Sequence, residues 1–336
     1  MLKADPIDWL LEKDNPSVRY FTLSEILYKS ENNPEVKDAK DKIMEIGVVP
    51  KILSKQKDEG YWETPQSLYK DKYRSTVWQL IILAELGADG RDECLKKACE
   101  FILENSQDSV SGGFSGDRAE TGGGSHDSVS PCLTGNMVWS LIRYGYLEDP
   151  RVQQGVNWIT KYQRFDDGMK EAIKGWPYDR QGHPHCWGYT HTHYVHSCHM
   201  GVVKTLKALA EIPTKKRSVD VENTIEKGVE YMLIHHIHKR SHDLNRVSNP
   251  NFLKFGFPLM WTTDVLEILE ILTKLGYRDK RMQEAIDLVI SKQDNQGRWK
   301  LERTFNGQFY TNIEQKGKPS KWITLNALKV LKRLYD

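Results

Sequence analysis

The chain has 336 residues, with 48 Lys and Arg against 46 Asp and Glu, for a net charge of +2. That balance gives no electrostatic basis for gripping nucleic acid or an acidic membrane, and apolar runs such as Leu80 to Ala84 are too short to span a bilayer. Five cysteines, an odd number without a preceding signal sequence, argue against a disulfide framework. A cytoplasmic protein with reduced thiols is expected, built as one domain over residues 1–336.

In chain order, Trp9, Leu10 and Leu11 form a short helix, and Pro16 opens a second that runs to about Tyr28. Residues 1–50 are expected to be outer helices that complete a ring. From residue 51 a pattern repeats five times: an aromatic-glycine turn, then a Thr- or Cys-led apolar helix. The turns are Gly60-Tyr61-Trp62, Gly112-Gly113-Phe114, a degenerate one from Asp167-Gly168-Met169 to Gly175-Trp176, a weak one at Phe255-Gly256-Phe257, and Gly297-Arg298-Trp299. The helices start near Thr76, Thr134, Cys198, Thr263 and Thr324, at steps of 58, 64, 65 and 61 residues. Between them lie amphipathic helices over Cys94 to Glu104, Arg151 to Tyr162, Val221 to His235 and Met282 to Lys292. The run Gly122-Gly123-Gly124-Ser125 lacks the strand-to-helix context of a phosphate-binding loop.

Helix pairs at such a period cannot bury their apolar faces alone and must stack. A helix apolar on most sides is buried on most sides, whereas a one-sided helix faces water. The nearly all-apolar helices, such as Val77 to Gly87, therefore belong to an inner layer and the amphipathic ones to an outer layer. The expected fold is an all-α, double-layered toroid of five to six helix pairs around a central cavity. An open solenoid is the alternative.

Three segments carry a resemblance: Lys-Gln-Lys-Asp-Glu-Gly-Tyr-Trp at 55–62, Ser-Gly-Gly-Phe at 111–114 and Lys-Gln-Asp-Asn-Gln-Gly-Arg-Trp at 292–299. They resemble the Gln-x-x-x-Gly-x-Trp repeat of the α/α-toroid superfamily that holds terpenoid cyclases and protein prenyltransferase β-subunits. The resemblance covers the chain from residue 50 onward and implies the toroid, an isoprenoid or other apolar small-molecule substrate, or a peptide tail admitted at the barrel mouth. The Asp-x-Asp-Asp acid of class II cyclases is absent, with only Asp166-Asp167 present, and so is the Asp-Asp-x-x-Asp magnesium motif. Ser130 stands two residues before Cys132, where prenyltransferases carry the Asp of a zinc pair.

Parallel inner helices bring their N-termini, with unpaired N–H groups and partial positive charge, to one mouth. Arg74, Asn136, Asp264 and Lys321 fall there, with Trp78, Trp139, Trp261 and Trp322 close by, so an aromatic-walled site is expected. Asp264 and Lys321 are the candidate catalytic groups; Arg74, Trp78, Asn136, Trp139, Trp261 and Trp322 are the candidate substrate contacts. Each has a plainer reading, Asp264 as a helix-start charge, the cations as rim ion pairs and the tryptophans as core. Residues 183–199 hold six His and two Cys in seventeen positions. Thiolate and imidazole are the donors zinc prefers, and Cys132 sits one repeat earlier at an equivalent place. The expected zinc set is Cys132, Cys186, His196 and Cys198, with His199 as substitute; a solvated His-rich loop over two buried thiols is the alternative. Helix N-termini are expected to lower the thiol pKa values.

Three functions follow as expectations. The first is a zinc-assisted transferase, cyclase or lyase acting on an isoprenoid or similarly apolar molecule. The second is a non-catalytic binding or scaffold protein with a structural zinc, and the third is a peptide-modifying enzyme. Peripheral membrane contact is compatible with the first; a membrane span is not expected.

Overall fold

The computed structural model describes residues 2–171 and 194–335, with the side chains of 168–171 and 194–196 outside that description. The helices are α1 (Ile7–Leu10), α2 (Pro16–Phe21, continued by a π-helical turn Thr22–Ile26), α3 (Pro34–Glu45), α4 (Val48–Leu53) and α5 (Thr76–Glu85). They continue as α6 (Glu93–Asn105), α7 (Pro131–Arg143), α8 (Pro150–Tyr162), α9 (His199–Glu211), α10 (Val219–Ile234), α11 (Val265–Lys274), α12 (Gln283–Ser291) and α13 (Lys321–Tyr335). Short antiparallel ribbons decorate the loops, among them Trp299–Lys300 with Pro319–Ser320.

The two layers separate as their burial patterns dictate. In α5 every residue from Thr76 to Ala84 is buried, whereas α6 buries only the stripe that includes Leu95, Ala98, Cys99 and Ile102. Inner helices pack in sequence, α5 on α7, α7 on α9, α9 on α11 and α11 on α13, and α13 then returns to α2. Side chains of all five inner helices and of the N-terminal stretch meet on one axis, where Glu25, Glu85, Arg143, Glu211, Glu270 and Lys329 line a cavity of only about 80 Å³. These helices therefore run parallel around a closed ring, the expected α/α toroid. The N-terminal stretch divides between the layers: Phe21 and Glu25 reach the axis, while α3 buries only Val36, Ala39 and Ile43 and faces outward.

The turn motif works through hydrogen bonds that tie three elements at once. Gln56 Nε2 donates to the carbonyls of Gly60 and Cys94, at 3.0 and 2.8 Å. Trp62 donates its ring N–H to Ile52 and its backbone N–H to the Thr76 hydroxyl. Gln107 repeats this toward Gly112 and Arg151, with Phe114 N–H on Thr134; Trp299 repeats it toward Val289 and Thr324. In the weak fourth repeat Asp264 takes the threonine's part, accepting from Gly256 N–H at 2.9 Å.

Two glycines record how tightly the ring is drawn. A Cβ on Gly60 would stand 2.6 Å from the Lys97 carbonyl of the next outer helix, and one on Gly297 would stand 2.1 Å from the Ala4 carbonyl. The N-terminal segment thus takes the place of the next outer helix. Gln293 seals it by accepting from Lys3 N–H at 2.8 Å.

Candidate functional site

The N-terminal ends of α7 and α9 face a second, much larger cavity of about 840 Å³. Cys132 and Cys198 line it, together with Tyr69, Leu133, Met200, Phe252 and Trp261. Neither helix start is capped by the side chain of its N-cap residue, Ser130 or Cys198. The two helices approach closely because position 135 is glycine: a Cβ there would lie 2.5 Å from the Lys204 carbonyl carbon.

The thiols belong to one environment. Burial, then the neighbouring Cys198, pushes the Cys132 thiol up to about 11, against Ser130 and the Leu133 N–H. The expected lowering by the helix N-terminus is therefore corrected for Cys132, because desolvation of the thiolate outweighs the helix field. Ser130 Oγ stands 3.8 Å from Cys132 Sγ. Burial and then the charges of Cys132, Tyr73 and Cys198 also push the Tyr69 phenol up, which places that ring beside both thiols. His199 lines the same cavity, stacks on Phe252 at 4.9 Å between ring centroids, and has a buried Nε2 without a partner. Burial drives its pKa down to about 3, so it is a neutral imidazole.

Cys186 lies outside the described residues, and so does the side chain of His196, whose backbone pairs with Asp167. Among the described residues no group of three or more His, Cys, Asp and Glu comes together in a metal-binding arrangement. Two soft donors on one cavity fit zinc in kind, but four ligands are not assembled from the described side chains alone. Of the other thiols, Cys99 is buried in α6 while Cys94 is exposed.

The other sequence candidates are scattered. Trp261 lines the large cavity and donates to Tyr73 Oη at 3.0 Å. Trp139 and Trp322 line the small axial cavity instead, where Trp139 donates to Glu211 and Trp322 stacks on Phe257 at 4.2 Å. Trp78 is wholly buried and donates to the Tyr69 carbonyl. Asn136 donates to the Met260 carbonyl at 3.3 Å, leaving its own amide oxygen buried without a partner. Arg74 is exposed, with its guanidinium 5.8 Å from the Tyr310 ring.

Asp264 caps α11, and its two oxygens accept from Glu267 and Gly256 N–H. Burial raises its carboxyl to about 6 despite those bonds. Lys321 pairs with Glu12 at 2.7 Å and with Asp14, fastening the last inner helix to the N-terminal segment.

Sequence reasoning missed Tyr69, Phe252, Tyr231 and His235 on the cavity wall. His235 presents Nδ1 to the Tyr231 carbonyl at 2.7 Å and Nε2 to Asp167 at 3.3 Å. The signal available was the aromatic loop Tyr69 to Tyr73 and the His run at 235–238, neither of which falls on the repeat register.

The axis is chemically opposite. Lys204 Nζ lies 2.6 and 2.7 Å from the two oxygens of Glu267, with both side chains almost wholly buried. Lys207 adds Glu85 and, at 3.2 Å, Glu267, while Lys274 pairs with Glu211 at 2.7 Å. Burial pushes the Glu267 carboxyl up, but Lys204 and then Lys207 hold it below its ordinary value. Among the described residues no helix is long and apolar enough to cross a membrane.

No protein-family model matches the sequence, and no curated protein matches it. In structure the chain is similar to a protein from Actinoplanes, with a TM-score of 0.44 and 12% identity over 95% of this chain and 89% of that one. It is also similar to the apo type II terpene cyclase MstE from Scytonema, with a TM-score of 0.43 and 14% identity over 95% and 87% of the two chains.

Proposed function

We propose that the chain is a terpenoid cyclase- or prenyltransferase-like enzyme that binds an isoprenoid or similarly apolar small molecule in the mouth cavity. The observation that carries this reading is the 840 Å³ space where Tyr69, Leu133, Met200, Phe252 and Trp261 meet two thiols and an imidazole. Apolar walls with a few convergent polar groups are the usual form of a small-molecule site. The axial cavity is too small and too charged for an isoprenoid, so the substrate belongs at the mouth.

In this proposal Cys132, Cys186 and Cys198 with His196 or His199 hold a zinc ion, which when bound supplies Lewis acidity or activates a thiolate. The chain's own aromatic residues hold the apolar chain away from water, and Tyr69, beside both thiols, orients the reacting end. A second reading, a binding protein with structural zinc, is favoured by one observation: Asp264 and Lys321 are already engaged as a helix cap and as a clasp between chain ends.

Metal analysis of untagged protein, combined with mass spectrometry of lipids carried through purification, tests both. Stoichiometric zinc with a co-purified isoprenoid supports the enzyme. Zinc without ligand or turnover supports the scaffold, and no metal removes zinc from either reading.

A further inference from the structure

The loop that leads into α5 carries Lys72, an exposed residue whose ammonium is surrounded by aromatic faces. It lies 4.9 Å from the centroid of Tyr69, 5.2 Å from Trp261 and 5.8 Å from Trp78. Among the described residues no carboxylate or carbonyl partners that ammonium. The rings are held independently of it. Trp78 donates to the Tyr69 carbonyl at 2.9 Å, Trp261 donates to Tyr73 Oη at 3.0 Å, and the Tyr69 and Trp78 rings sit 4.5 Å apart. The box would keep its shape with Lys72 swung out on its flexible stem.

Two walls of the box, Tyr69 and Trp261, are also walls of the 840 Å³ cavity. Ring faces attract cations through their quadrupoles, most strongly for Trp. A lysine ammonium carries three N–H donors, and ring faces cannot satisfy them as carbonyls or carboxylates would. A methylated nitrogen has no such demand and presents only charge and methyl surface.

From these observations we infer that Tyr69, Trp78 and Trp261 form a cation subsite of the mouth cavity for a quaternary ammonium group on a small apolar molecule, and that Lys72 occupies it as a resident competitor until displaced. The inference requires neither zinc nor an isoprenoid substrate, and its test reads binding directly.

The probe is the phenethyltrimethylammonium ion, with its neutral tert-butyl isostere as control, titrated calorimetrically against the full chain. The cation binds more tightly than the isostere, and Lys72→Ala tightens it by roughly fivefold, the value of one exposed cation–ring contact. Tyr69→Phe retains binding and Tyr69→Leu loses it, while both keep the wild-type circular dichroism spectrum; that pair separates ring face from hydroxyl and from folding. Equal binding of cation and isostere overturns the inference. So does weaker binding in Lys72→Ala, and so does a Lys72-dependent preference for an anionic probe such as phenethyl phosphate.

Discussion

The two ends of the ring are made from the same five repeats and are chemically unlike. At the axis, charged side chains from successive inner helices meet and neutralise one another: Lys204 with Glu267, Lys207 with Glu85, Lys274 with Glu211. At the mouth, buried polar atoms are left over, including His199 Nε2 and the amide oxygen of Asn136 a turn inside α7. Buried groups without partners are costly. Of these, His199 lines the 840 Å³ space itself. The end whose charges are matched is the end that holds the barrel shut. The matched pairs and the large cavity thus draw on different side chains of the same helices.

The largest expected effect breaks the matched pole. Lys204→Met leaves Glu267 buried with Lys207 as its remaining partner and costs about 3 kcal/mol in urea denaturation. The double change Lys204→Met with Glu267→Leu recovers most of that loss, because no uncompensated charge remains. A recovery below half would show that the pair does more than neutralise itself.

Next is Gly135→Ala, which presses a methyl group onto the Lys204 backbone. It costs about 1–3 kcal/mol through overpacking, and by spreading α7 from α9 it separates Cys132 from Cys198. Thermal unfolding gives the first effect and zinc stoichiometry the second.

Asp264→Ala removes a cap and leaves the Gly256 N–H unpaired, for about 2 kcal/mol. Its pH dependence has a definite sign. The carboxyl, raised by burial to about 6 from an ordinary 3.8, binds its proton more tightly when folded. Its contribution is full below 3.8 and is lost as pH rises through 6. The stability of wild type relative to Asp264→Asn therefore falls across that window, as urea midpoints at pH 4 and pH 7 will show. The smallest effect belongs to the open pole: Cys132→Ser changes stability by less than about 1 kcal/mol while reducing bound metal and ligand.

The toroid was legible because helix pairs at a steady period need neighbours, and the motif glycines and tryptophans mark each joint. Three things were not. Lys204 and Glu267 are 63 positions apart, and each looks like the solvated side of an apolar helix. Asp264 looks like an acid poised for chemistry, yet it stands where other repeats use a threonine hydroxyl. Tyr69 and Lys72 lie in a connecting loop, where no periodicity reports what faces a cavity. The expectation that four tryptophans would share one pocket failed geometrically. Trp261 precedes its helix and points to the mouth, while Trp139 and Trp322 lie within theirs and reach the axis.

The seam between the chain's ends has a mechanical consequence. In an open stack of repeats the terminal unit has one free face and can peel away first. Here Lys3 is bound to Gln293, Ala4 lies against Gly297, and Lys321 grips Glu12 and Asp14. The first and last repeats are thus joined to each other, so neither has the free face of a terminal unit.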